Sequence, residues 1–195
     1  MKKFYPVIVL LVVVFLVYFV LQKLDLFQTL SEEELQASFE LVDLDTKWVA
    51  KEYQPWPPKL ILVPAISFKV KNVTEKPLRY INFNANFRFK DDWENLGDNF
   101  LAAIRGDAIL PGETSEEILL KSNYGVEGQR VSSFESNPMW KPVVCKLFAS
   151  SKGSQFITLG EFDVSRKIDF KEDENVGVKP EDKREKKEAA PAEKK

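Results

Sequence analysis

The sequence predicts an all-β fold: an antiparallel β-sandwich of about seven strands, behind one N-terminal transmembrane helix and before a charged tail. Several runs alternate apolar and polar residues with a period of two, as strands with one buried face do. The 15 Phe and 4 Trp supply large core side chains, and the 11 Pro and 8 Gly supply turns. Of the 195 residues, about 130 to 140 remain between the apolar N-terminus and the tail, which suits one domain.

A long apolar run predicts the transmembrane helix. Phe4 to Leu21 are eighteen uncharged, largely apolar residues, close to the roughly 20 that cross a bilayer. We therefore expect a membrane anchor over residues 1–23 that contacts the bilayer through residues 4–22. Val20 to Leu24 lack the small side chains of a signal-peptide cleavage site, which favours an uncleaved signal-anchor, with its later removal left open. The bases Lys2 and Lys3 place the N-terminus in the cytoplasm and the domain outside it.

A linker with some helical character is predicted over residues 24–36. Ser31 precedes three Glu residues, which is typical of a capped helix start or of a juxtamembrane spacer. Alternation begins at Ala37, where the first strand is expected, and the β-sandwich domain is predicted over residues 37–169.

The clearest strands follow in the middle of the chain. Ile66 to Val70 and Ile81 to Phe89 both alternate, and a turn at Asn72 to Pro77 separates them. Phe100 to Ile104 resumes the pattern after a polar loop. Short turns between these three strands predict consecutive neighbours in one antiparallel sheet.

The last strands and the tail are less regular. Ile118 to Leu120, Val143 to Ala149 and Phe156 to Val164 are predicted strands, the last two forming a hairpin, and Asn123 to Pro138 is predicted to be the largest surface loop. Residues 170–195 lack an apolar pattern and carry eight basic and eight acidic side chains, so we expect a disordered tail.

The stretch from Phe68 to Asp91 resembles a known domain family. It carries apolar residues on two strands around an Asn-containing turn, and a Pro111-Gly112 turn precedes a later apolar strand. This arrangement is similar to the FxLYD domain and, more loosely, to the late-embryogenesis-abundant type 2 domain. The likeness covers about half of the domain, and the Leu-Tyr-Asp of the family is here Phe89, Lys90 and Asp91. The resemblance implies an immunoglobulin-like sandwich, often behind a membrane anchor, without a general catalytic function.

The composition argues against several function classes. The net charge of −2 gives no cationic surface for nucleic acid. Histidine is absent, so the commonest general base and metal ligand are missing. We therefore expect no enzyme, no cofactor and no metal. Cys145, the single cysteine, alternates with apolar neighbours and is predicted to be a buried core thiol.

Two short motifs resemble functional sites, but we interpret both as ordinary turn or loop sequences. Asn72-Val73-Thr74 matches a glycosylation acceptor but coincides with a turn, and we interpret it as a turn. Four carboxylates within eight residues could supply oxygens to calcium, but they lack the EF-hand order and are interpreted as a solvated loop. They are Asp91, Asp92, Glu94 and Asp98.

Three aromatic residues are candidate partner-binding residues: Trp56, Trp140 and Tyr124. Packing over the ends of the sandwich is the competing interpretation for the two Trp residues. We expect a non-catalytic, membrane-anchored module that acts in protein–protein interaction or envelope structure, binding an envelope protein through a sheet edge or the Asn123–Pro138 loop. Two alternatives stay open: an auxiliary subunit held in a membrane complex by its transmembrane helix, and a sandwich that carries a lipid or small ligand.

Overall fold

The computed structural model describes residues 10–18, 30–92, 95–174 and 176–177. Residues 10–18 are helical, and a second helix, α1, spans Glu32–Ser38. The described strands are β1 (Phe39–Gln54), β2 (Lys59–Asn72), β3 (Ile81–Phe89), β4 (Asn95–Ile104), β5 (Ile118–Lys121), β6 (Val126–Gly128), β7 (Val143–Ser151), β8 (Ile157–Asp163) and β9 (Ile168–Asp169).

These strands form two sheets. One has the order β5-β2-β1-β9, with β6 also pairing with β2, and the other has the order β4-β3-β7-β8. All pairs are antiparallel except β1 with β9. The all-β sandwich is therefore confirmed. The seven predicted strands are all present, and the short strands β6 and β9 add to them.

The core between the sheets is filled by aromatic rings. Phe83 of β3 meets Phe68 of β2 and Phe39 of β1 in edge-to-face contacts, with ring centroids 5.1 and 5.9 Å apart. Trp48 contacts Trp140 in the same way at 5.9 Å. Such geometry suits the aromatic quadrupole and adds to the free energy of burying the rings. The described interior is thus packed with side chains rather than open.

Strand β3 has the predicted alternation along its whole length. Residues from Ile81 to Phe89 alternate between buried and half-buried, with Phe83 and Phe87 fully enclosed. Strand β2 is longer than predicted: it pairs with β1 from Lys59 to Asn72 along one edge and with β5 and β6 along the other. Both of its faces are covered, so Val63 is as buried as Leu62 and the sequence shows no period of two there.

The prediction that β2, β3 and β4 are consecutive in one sheet is wrong for β2. Strand β2 belongs to the first sheet, whereas β3 and β4 pair in the second. The chain changes sheets at a corner built on Asn72, whose side chain is fully buried and hydrogen-bonded within the corner. Alternation identifies the buried face of a strand but not the sheet to which it belongs.

Helix α1 begins where the sequence placed a cap. The Ser31 hydroxyl accepts a hydrogen bond from Glu34 N, and the Glu34 carboxylate accepts one from Ser31 N, so both sides of a capping box are made. The helix continues through Ala37 to Ser38. Strand β1 therefore starts at Phe39, two residues after the predicted start, because Ala37 and Ser38 belong to the capped helix.

The helix of residues 10–18 presents large apolar side chains on every face. Their exposed fractions run from 49% at Val13 to 65% at Phe15. No helix within the described ranges is long and apolar enough to cross a membrane. The rest of the predicted anchor, residues 1–9 and 19–23, lies outside the described residues, as do residues 24–29 of the predicted linker.

The chain still packs on the domain beyond residue 170, where we placed the start of the tail. Phe170 contacts Tyr53, with ring centroids 5.0 Å apart. Val176 is buried, and its carbonyl accepts a hydrogen bond of 2.6 Å from Arg130. The rest of the predicted tail, residues 175 and 178–195, lies outside the described residues.

Candidate functional site

The candidate site lies where the edges of the two sheets face each other. Strand β4 ends the order of one sheet and β5 ends that of the other. Near one end of β4 the two edges are joined by hydrogen bonds. Asn99 Nδ2 donates to Lys121 O at 2.7 Å, and Tyr124 N donates to Leu96 O at 3.0 Å. Past Asn99 no described strand pairs with the outer edge of β4.

The edges separate beyond that junction and leave a cleft of about 600 Å³, which we call the β4–β5 cleft. One wall is β4 from Leu101 to Ile104, and the other is the start of β5 with the segment before it. The larger apolar residues of the lining are Leu101, Ile104, Ile109, Ile118 and Leu119. Leu101 points inward, opposite Phe83, yet 39% of it is exposed because no described residue covers the core there.

The second wall is fixed by hydrogen bonds to β2. Ser115 N donates to Val70 O at 2.8 Å, while Val70 N donates to the Ser115 hydroxyl at 2.9 Å. Ile109 pairs with Leu78 through two backbone hydrogen bonds of 2.9 and 3.0 Å. These bonds hold the crossover from β4 to β5 against β2 and the connection that follows it, so the cleft is part of the fold.

The rim of the cleft is acidic. Four exposed carboxylates and one guanidinium belong to its lining, namely Asp107, Glu113, Glu116, Glu117 and Arg105. None of the five side chains is in an ion pair with another described residue. The cleft therefore combines an apolar floor, an unpaired strand edge and a net negative rim.

The sequence carried a signal for this site that alternation did not reveal. Phe100 and Leu101 are adjacent apolar residues on one strand, with exposed fractions of 57% and 39%. Phe100 lies on the outer face, opposite Asn84, and its ring meets Phe156 at 6.2 Å. Exposed apolar residues on both faces of an edge strand are unusual, because natural edges are blunted by charge, proline or bulges. Of these devices, the open part of β4 has the bulge, at Ala103.

The three candidate aromatic residues have different surroundings. Tyr124 is the most exposed large hydrophobic side chain among the described residues, at 69%, and Lys51 Nζ lies 5.9 Å from its ring centroid. Trp56 is 38% exposed in the turn between β1 and β2. Trp140 is only 9% exposed and lies in the core cluster, against Trp48 and Phe134. Trp140 therefore offers little surface to a partner in this conformation.

The Asn123–Pro138 segment is anchored to the domain at two points. It contains β6, which pairs with β2, and a 3-10 turn at Val131–Phe134. Val126 and Phe134 are buried. Gly128 lies so close to Phe134 that an added Cβ would come within 2.8 Å of the ring. The segment is therefore held to the body of the sandwich rather than projecting freely.

The other motifs lie in structural positions. Cys145 is fully buried on β7, and burial raises the pKa of its thiol to about 12, so it is a core thiol as predicted. The amide of Asn72 is used within its turn, which confirms that interpretation. Asp92 pairs with Lys141 at 3.3 Å, and Glu94 lies outside the described residues. In the described part of the chain no group of His, Cys, Asp or Glu side chains could hold a metal ion.

Comparison with known proteins identifies no family. No family model matches the chain, and no curated protein matches it. Among solved structures, it is similar to the crystal structure of a putative ApaA protein from Bordetella pertussis, with 12% sequence identity and a TM-score of 0.36. That likeness covers 66% of this chain and 95% of that chain, and it is too distant to carry an argument. The resemblance to the FxLYD and late-embryogenesis-abundant type 2 domains stays a prediction.

Proposed function

We propose that this chain is a non-catalytic protein-binding module that receives an extended segment of a partner protein along β4, while residues 4–22 tether it to a membrane. Strand addition at an exposed sheet edge uses main-chain hydrogen bonds for affinity and pockets for alternate side chains for specificity. The edge of β4 beyond Asn99 supports this function because it is unpaired in the described structure and is flanked by exposed apolar residues.

The length of the open edge sets the size of the segment. Phe100 to Ile104 are five residues, or about 17 Å of strand. A segment laid along them would direct alternate side chains toward Leu101 and Ile118. The sheet edge is favoured over the Asn123–Pro138 segment because that segment is fixed to the sandwich by its own buried residues.

The membrane part of the proposal rests on the N-terminal residues. The helix of residues 10–18 is apolar all round and exposed, and a helix of that kind is typical of a buried or membrane-inserted segment. Lys2 and Lys3 favour a cytoplasmic N-terminus and an extracytoplasmic domain. An envelope protein is then the expected class of partner.

A small-ligand function is the second candidate. The cleft volume of about 600 Å³ lies in the range of small-molecule sites. Binding of a lipid between the two sheets has less support, since Phe68, Phe83 and Phe87 fill the described space there. A second cavity of about 530 Å³ lies between α1 and the turn after β2. A ligand in the β4–β5 cleft would use the same walls as the partner segment.

Photocrosslinking in native membranes tests the proposal. A photoreactive phenylalanine analogue at position 100 should yield a discrete protein adduct, and the same analogue at Met139, which is 50% exposed, should not. Leu101→Lys places a lysine inward on the edge, a device that natural edges use against pairing. It should abolish the adduct, while Met139→Lys should leave it. An adduct that survives Leu101→Lys would refute strand addition at β4.

A further inference from the structure

Building on the proposed function, we infer that the segment received by the β4–β5 cleft is cationic, with Lys or Arg alternating with apolar residues. The inference starts from the rim, where four carboxylates face one guanidinium. Elsewhere on the sandwich, several exposed charges are neutralised within the domain. Arg88 pairs with Glu161 at 3.1 Å, and Lys90 pairs with Asp163 at 2.9 Å.

The carboxylates of the rim lack such partners. Glu116 and Glu117 are exposed and lie beside the apolar start of β5. Neither is in a described ion pair, but Glu117 lies near Lys47 and Lys69, which pair with other carboxylates. Asp107 also lines the cleft, two residues after Arg105. Complementary potentials steer association and exclude partners of the wrong charge. A partner that carries positive charge over this rim would gain attraction at no cost to an existing ion pair.

The geometry of a strand fixes the expected pattern. Successive side chains of a strand point to opposite sides, so a segment along β4 places every second residue over the apolar floor. These residues would contact Leu101, Ile104 and Ile118. The residues between them point away from the floor and can carry the basic side chains toward the rim. The expected segment therefore alternates apolar and basic residues over about five positions.

A second copy of the chain is a weaker occupant. Pairing two β4 edges about a two-fold axis would bring two acidic rims together, and like charges that face each other oppose association. An acidic segment is disfavoured for the same reason. Charge complementarity thus selects a basic partner segment among the possible strands.

Two labelled peptides of seven residues provide the probe. Both are acetylated and amidated, with Val at the odd positions, and the even positions are all Lys in one and all Glu in the other. Fluorescence anisotropy measures their binding to the full chain in uncharged detergent micelles at low salt. We expect the Lys peptide to bind at least about tenfold more tightly, which corresponds to about 1.4 kcal/mol. This preference should shrink at 300 mM salt because screening weakens exposed charges.

Matched variants locate the effect. Glu116→Gln with Glu117→Gln should remove most of the preference, and Glu116→Lys with Glu117→Lys should reverse it. Glu32→Gln with Glu33→Gln neutralises two adjacent exposed carboxylates on α1, outside the cleft, and should leave the preference unchanged. Leu101→Lys should weaken both peptides, because it blocks the edge.

The outcomes separate this inference from the proposed function. If both peptides bind equally and Leu101→Lys abolishes both, strand addition stands and the cationic specificity is wrong. If the Lys peptide binds but ignores Leu101→Lys and the Glu116 and Glu117 variants, its binding is unspecific and the inference is overturned. If neither peptide binds, the inference fails, and the adduct from position 100 then decides the proposed function alone.

Discussion

Replacing Asn72 is expected to cost more stability than replacing any exposed asparagine of the sandwich. Its side chain is fully buried at the corner where the chain passes from one sheet to the other. Its amide nitrogen donates to Lys76 O and Ile109 O, both at 2.8 Å. Its carbonyl oxygen accepts from Thr74 N at 2.9 Å and from the Thr74 hydroxyl at 2.8 Å. Four hydrogen bonds therefore converge on one amide.

The magnitude follows from those bonds. A neutral hydrogen bond contributes a net ~1 kcal/mol, and a buried group left without its partner costs more. Some of the freed backbone groups lie close to solvent and can bind water, so Asn72→Ala should lower the free energy of unfolding by about 3 kcal/mol. Asn72→Asp keeps the accepting oxygen but turns a carboxylate toward two carbonyl oxygens, and it should be worse at neutral pH.

Urea denaturation of the full chain in nonionic micelles, followed by Trp fluorescence, measures these losses, since Trp48 and Trp140 are buried. Asn84→Ala is the control, because the Asn84 side chain makes no hydrogen bond to another described residue and is only partly buried, on the outer face of β3. Its cost should stay within about 0.5 kcal/mol. A loss below about 1 kcal/mol for Asn72→Ala, or one equal to that of Asn84→Ala, would refute the role given to the corner.

Three further predictions concern other parts of the domain. Because burial raises the pKa of Cys145 from 9.0 to about 12, native protein should resist thiol reagents at pH 8. The unfolded chain releases this proton first, so stability should fall above about pH 9 by up to 1.4 kcal/mol per pH unit; urea titrations of wild type and Cys145→Val check this, and equal slopes would contradict it. Phe83→Ala should cost about 3 to 5 kcal/mol in urea denaturation, and a loss under 2 kcal/mol would mean that the site collapses. Ser31→Ala should cost about 1 kcal/mol and raise amide exchange in α1; unchanged exchange would show that the capping box does not hold the helix.

The fold was largely predictable because most strands have one buried and one wet face. Strand β3 is the clearest case, since every second residue from Ile81 to Phe89 enters the core. The same reasoning failed on β2, where residues such as Val63 are covered on the second face as well. It also could not assign β2 and β3 to different sheets, because that assignment depends on tertiary hydrogen bonds at Asn72.

The candidate site was much harder to predict. Whether an edge is unpaired depends on the order of strands in the sheet, and the residues Phe100 to Ile104 do not determine which strand lies beside β4. The acidic rim also combines residues from both ends of the crossover, Asp107 and Glu117 among them. Only the adjacent apolar pair Phe100 and Leu101 hinted at a site. Trp140 was a candidate partner-binding residue because it is aromatic, but it packs in the core.

The direct passage from α1 into β1 determines how a mechanical load enters the domain. Ser38 ends the helix and Phe39 begins the strand, so no slack loop separates them. A force applied along the axis of β1 is resisted by the β1–β2 ladder, which has thirteen residue pairs. Their hydrogen bonds lie across the strands and are loaded together in shear, not opened one by one. If the proposed partner segment is held at β4, tension between it and the N-terminal side of the sandwich would load this ladder in shear and not unravel it from that end.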